Sequence, residues 1–102
     1  MLLAEISMWP MDKGESVGKY VAGVLDVIDR SGLAYKLGPL GTCIEGEWDE
    51  VMVVLTQCFE HLSKQSNSIA CTVKMDWRKW HSGRLEGKVK SVEEKLGRTL
   101  KT

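Results

Sequence analysis

With 102 residues, the chain has the length of one ordinary domain, enough for a single buried core. Hydrophobic residues at 43% and charged residues at 27% exclude both a disordered polar chain and a membrane-embedded one. Fourteen Lys and Arg balance fourteen Asp and Glu, so no net charge draws the chain to a phosphate backbone or an anionic bilayer, and neither nucleic acid nor a membrane is expected as a partner.

The first predicted element is a strand over Leu2 to Trp9. Leu2, Ala4, Ile6 and Met8 fall on one parity and Leu3, Glu5, Ser7 and Trp9 on the other. Pro10 and the Met11-Asp12-Lys13-Gly14 stretch end it. Val17, Tyr20, Val21, Val24, Leu25 and Ile28 then recur at helical spacing, and Gly32 closes this first helix. Ala34 to Leu37 and Thr42 to Gly46 read as two short strands joined through the turn Gly38-Pro39-Leu40-Gly41. A second helix runs from about Trp48 to Lys64, with Asp49 and Glu50 in its first turn, where carboxylates favour the helix dipole. After the polar Gln65 to Ser68, Ile69, Cys71, Val73 and Met75 alternate with Ala70, Thr72, Lys74 and Asp76 as a fourth strand. The last helix takes Ser82 as its cap, Leu85, Val89, Val92 and Leu96 as its stripe and Gly97 as its stop, leaving Arg98 to Thr102 as a loose tail.

The order βαββαβ plus a C-terminal helix is the split βαβ, ferredoxin-like pattern: an α+β domain over residues 1–102 with an antiparallel four-stranded sheet. If the apolar parities of the first and last strands face the helices, the other sheet face presents Leu3, Glu5, Ser7, Trp9, Thr72, Lys74 and Asp76 to a ligand or a second subunit. Zero net charge protects poorly against self-association, so a homo-oligomer is expected. Cys43, Cys58 and Cys71 form no C-x-x-C pair and read as free thiols. The N-terminus lacks the basic segment of a secretory signal, and a cytoplasmic location follows as an expectation.

At the hairpin and beyond, the block from Tyr35 to Glu50, with its Gly38-Pro39, Gly41-Thr42 and Glu45-Gly46 pairs, resembles the signature of the small thiamine-binding protein family. The likeness extends to the opening strand ending at Pro10, to Ser16 and Tyr20, to Asp76-x-Arg78 and to the Ser91-Val92-Glu93-Glu94-Lys95-Leu96 end. The resemblance implies binding of thiamine (vitamin B1) or its hydroxymethylpyrimidine half by a homotetramer, or failing that a dimer, with sheets paired between subunits. One departure is the Asp76-Trp77-Arg78-Lys79-Trp80-His81 stretch, which carries two tryptophans where many relatives are more charged.

Thiamine joins an aminopyrimidine to a cationic thiazolium, so its receptor needs a carboxylate, hydroxyls and a flat apolar surface. Glu45 is the candidate carboxylate and Thr42 the hydroxyl at the mouth of the hairpin. Ser7 and Trp9 contribute from the first strand, Trp9 as a stacking surface or equally as a subunit contact, and Glu5 helps balance a cation. An exposed strand glutamate and a β-branched strand former are the plain structural alternatives for Glu45 and Thr42. Being three apart, these two face opposite sides of a regular strand and share a pocket only if a bulge intervenes. Ser16 equally suits a helix cap and Tyr20 the core. His61, at i+3 from Cys58, lacks a third metal ligand, and neither it nor His81 has the orienting partner of a nucleophile–base pair. The expected function is non-catalytic binding without metal or cofactor. The alternatives are an enzyme using Glu45 as acid or base, and a structural or regulatory oligomer without ligand.

Overall fold

The computed structural model describes residues 1–102, as a four-stranded antiparallel sheet with three helices. In chain order the elements are β1 (Leu2–Pro10), α1 (Gly18–Arg30), β2 (Ala34–Leu37), β3 (Thr42–Gly46), α2 (Trp48–Ser63), β4 (Ile69–Trp77) and α3 (Arg84–Leu96). The sheet order is β2-β3-β1-β4, the ferredoxin-like arrangement in which β1 is central and β4 forms an edge.

Parity in β1 decides which face is buried. Leu2, Ala4, Ile6 and Met8 join Ile44 of β3 under Val24 and Ile28 of α1 and Val51, Val54, Cys58 and Leu62 of α2, forming one core cluster. The helices approach closely enough that Gly23 of α1 sits against His61 of α2: a Cβ at Gly23 would collide with His61 Nε2 unless the imidazole moved. Helix α2 begins with the backbone N–H of Glu47 donating to Glu50 Oε1 at 2.9 Å, which satisfies one of the orphan donors at a helix start. Cys58, buried between α2 and the Val24 carbonyl, has its thiol pushed up to about 11 by burial. No helix is long and apolar enough to cross a membrane.

Helix α3 departs from two expectations. It packs on β2 and β3 and covers part of the sheet face expected to be open. Its contacts are with Glu45 and Lys36, whose parity is opposite to that of Ile44. Its cap is also not Ser82. Gly83, in the left-handed region at φ 67°, occupies the N-cap, and the side chain that receives the first N–H groups comes from β3. The tail expected to be loose is pinned where the Leu100 N–H donates to Glu93 Oε2 at 2.6 Å.

The edge strand β4 pairs with β1 along its whole length, from Leu2 with Trp77 to Pro10 with Ile69. The helix layer does not reach across it, so Met75 and Trp77 stay exposed on the helix side and Lys74 and Asp76 on the other.

Candidate functional site

Strand lengths create a cleft. The register of β3 on β1 runs from Gly46 opposite Leu2 to Thr42 opposite Ile6 and stops there, because the chain turns at Gly38–Gly41. Beyond Ile6, the residues Ser7, Met8 and Trp9 pair only with Thr72, Cys71 and Ala70 of β4. Their other edge has no strand partner. That bare edge, the hairpin tip Leu37–Thr42 and the Val17, Val21 and Leu25 side of α1 enclose a cleft of about 440 Å³.

The lining residues are mostly apolar and none is charged; Thr42 lies on the helix-covered parity of Ile6, whereas Ser7 and Trp9 line the opening from the opposite parity of β1. Thr42 is only 3% exposed as a residue, but no fully buried side-chain oxygen of the protein lacks a partner, so its hydroxyl, which takes part in none of the side-chain hydrogen bonds, reaches solvent at the cleft. A hydroxyl at such an opening can donate one hydrogen bond and accept two. At the rim, Gly41 sits against Glu5: a Cβ there would lie 3.1 Å from Glu5 Cγ and 3.3 Å from the Ile6 carbonyl oxygen. A side chain there would require Glu5 to give way by a few tenths of an ångström. Glu5 is thereby the carboxylate beside the cleft mouth.

Thus the structure brings Ser7, Trp9 and Thr42 together and leaves Glu45 apart. Thr42 and Glu45 lie in a continuous register with no bulge and face opposite sides of the sheet, so the single pocket expected to hold both does not form. Glu45 is 7% exposed, and its two oxygens accept the backbone N–H groups of Gly83 (3.0 Å) and Arg84 (2.8 Å). Its carboxylate is committed to the start of α3, where the helix dipole favours an anion. Beside it, Arg84 donates to the Asp76 carbonyl at 2.9 Å and bridges Asp76 Oδ2 at 2.7 Å, and these bonds hold the Asp76 carboxyl below its ordinary range. Ser16 makes no cap, since Val17 occupies that position without a side-chain bond. Tyr20 packs against the core, as its place on the stripe implied.

Sequence reasoning missed one polar clasp that shapes this end of the sheet. Asp12, after β1, accepts from the Ser66 hydroxyl and from the Asn67 N–H at 2.8 Å, tying the β1–α1 loop to the α2–β4 loop. The Ser66 hydrogen bond, with help from Asn67, holds the Asp12 carboxyl below its ordinary value. No three His, Cys, Asp or Glu side chains are grouped to hold a metal. A larger trough of about 740 Å³ lies between the ends of α1 and α2, but it is an open surface groove with a charged rim and contains none of the candidate residues. The smaller cleft differs in being largely apolar and in taking one wall from a bare strand edge.

Comparison with known proteins is consistent across sequence and fold. The family model described as thiamine-binding protein matches residues 4–93. The UPF0045 protein Mb1933 of Mycobacterium bovis is 33% identical over 96 residues, covering 93% of this chain and 94% of the relative. The crystal structure of the hypothetical protein MJ1052 of Methanocaldococcus jannaschii superposes with a TM-score of 0.83 at 29% identity, covering 91% of this chain and 96% of that one. A Thermotoga maritima structure, described as a putative thiamine biosynthesis/salvage protein, shares the fold with a TM-score of 0.79 at 20% identity, covering 89% and 97% of the two chains.

Proposed function

The chain belongs to the thiamine-binding protein family, and from that premise we propose that it binds thiamine or its hydroxymethylpyrimidine half in the cleft between β1, α1 and the β2–β3 hairpin. The observation that carries this reading is the unpaired edge of Ser7–Trp9, with the solvent-reaching hydroxyl of Thr42 beside it, opening into the apolar cleft under α1. A flat aminopyrimidine offers donors and acceptors in its plane and two apolar faces. The strand edge, with Thr42, meets the former, and the Val17, Val21 and Leu25 side of α1 meets the latter, with Ser7 and Trp9 at the opening. The uncharged interior suits this half of the molecule. The thiazolium cation is better placed at the rim, near Glu5. Glu45 acts here only by holding α3 on the sheet.

The reading is of a binder, with no cofactor and no metal taking part. No acid or base lines the cleft itself, and the nearest carboxylate, Glu5 at the rim, is assigned here to the cation, which supports binding over general acid–base or nucleophilic chemistry. The bare edge of β4 supports the dimer step of a homotetramer, because nine residues of unpaired strand invite pairing with a second copy. A cytoplasmic location completes the proposal.

Calorimetric titration with thiamine and with hydroxymethylpyrimidine tests the reading. Wild type should bind at least one of them. Thr42→Val keeps the shape and removes the hydroxyl, and should weaken that binding by about two- to tenfold, the equivalent of one neutral hydrogen bond. Absence of binding in wild type sinks the ligand assignment, and an unchanged affinity in Thr42→Val places the ligand elsewhere. Chromatography of the incubated ligand should return it intact; turnover in proportion to protein would make this an enzyme.

A further inference from the structure

Trp80 stands out in a loop that the cleft does not use. Its backbone lies in the left-handed region at φ 63°, and its side chain is 90% exposed, with Lys79 Nζ 4.8 Å from the ring centroid. A bulky residue in that conformation is an outlier, and an indole left in water gains nothing from burial. Together with Trp77, Arg78 and Lys79 it forms a basic aromatic knuckle after β4.

The open trough between α1 and α2 has the opposite character. Val27, Leu33, Val53 and Val54 line it with the carboxylates Asp49 and Glu50, and the single cation of the lining, Arg30, is bridged to Asp26 at 3.1 Å. Knuckle and trough lie at the same end of the molecule, because Trp77 pairs with Leu2, and Leu2 with Gly46, two residues before α2 begins. The neutral total conceals a segregation of charge that follows the same division. Residues 1–73, which build the trough, carry five Lys and Arg against ten Asp and Glu, whereas residues 74–102, which include the knuckle, carry nine against four.

We propose that the knuckle of one copy seats in the trough of a second copy of this chain, with Trp80 entering the apolar floor and Lys79 facing Asp49 and Glu50. Since each copy presents both surfaces at one end, a two-fold operator across that end makes the contact twice and closes the interface. The contact is separate from any pairing of β4 edges, and the two interfaces together build a tetramer as a dimer of dimers. It rests on the oligomeric part of the reading above and is independent of the ligand.

Sedimentation equilibrium on the full chain tests it, with thiamine titration run on the same samples. Wild type should be a tetramer, and Trp80→Ala a dimer, since truncating a tryptophan anchor weakens a contact by about thirtyfold or more. Trp80→Gly, which relieves the backbone strain while removing the indole, should dissociate in the same way, so that loss of contact is distinguished from a misfolded loop. Lys79→Glu and Asp49→Lys should each weaken the association, and their combination should restore part of it. Thiamine affinity should be unchanged in all of these variants, because Trp80 lies outside the cleft. Tetramers that persist in both Trp80 variants overturn this inference and leave the oligomeric reading standing. A wild-type monomer at micromolar concentration overturns both.

Discussion

The sharpest consequence of the fold concerns Glu45. Helix α3 places no residue in the core. It is held to the sheet by the Glu45 carboxylate on the Gly83 and Arg84 N–H groups, by the Arg84–Asp76 bridge at 2.7 Å and by the Lys36–Glu86 bridge at 2.8 Å. Lys36 and Glu86 are substantially exposed, so their pair adds between zero and about 1 kcal/mol. Glu45 is nearly buried and accepts two charge-assisted bonds. Glu45→Gln keeps one acceptor, loses the charge and turns an amide NH₂ toward a backbone N–H, so two donors face each other. The cost is one charged hydrogen bond, about 1.5–3 kcal/mol. Because α3 is anchored by polar contacts rather than by burial, that cost appears first as local detachment. Amides of Arg84–Leu96 should exchange about ten- to hundredfold faster, whereas those of β1 and α2 change little. If the docking energy is fully coupled to global unfolding, the melting temperature also falls, by about 4–8 °C per kcal/mol. Lys36→Gln is the matched control and should be nearly silent. Hydrogen exchange read by mass spectrometry decides the matter: unchanged protection of α3 in Glu45→Gln would refute the anchoring role and return the carboxylate to the list of free recognition groups.

The Asp12 clasp should respond to acid. Its folded pKa is depressed, so its contribution is complete above the ordinary value of 3.8 and disappears as pH falls through the folded value. Carboxyl NMR titration should place its midpoint below 3.8, and Ser66→Ala should bring it back toward that value. Gly23→Ala should be nearly neutral alone, because the gain in helix propensity is offset by displacing His61. In a His61→Ala background the same change should stabilise the protein by about 0.5–1 kcal/mol, measured by urea denaturation. Cys58, with its thiol pushed up to about 11 and its side chain in the core, should resist thiol reagents at pH 8 until the protein unfolds; labelling at the rate of a free thiol would contradict its placement. Ile44→Ala, at the centre of the cluster, should cost about 2–5 kcal/mol in the same denaturation assay.

Period and punctuation were sufficient for the elements. Alternation from Leu2 to Met8 marked the buried parity of β1, the 3.6-residue stripes marked α1 and α2, and the glycines and proline of Gly38–Gly41 marked the limits of β2 and β3, because these signals record which residues avoid water and where the backbone must turn. Parity also foretold that Thr42 and Glu45 face apart, as their unbroken register requires. What a linear pattern does not carry is the partner of a side chain. Glu45 meets Gly83 across 38 residues of sequence, so a carboxylate that reads as a free ligand group becomes the cap of a helix whose docking face no periodicity specifies. The cleft belongs to tertiary structure for a similar reason. A nine-residue β1 against a five-residue β3 must leave an unpaired edge, but only the packing of α1 beside that edge turns it into an enclosed site rather than a stretch of solvated strand.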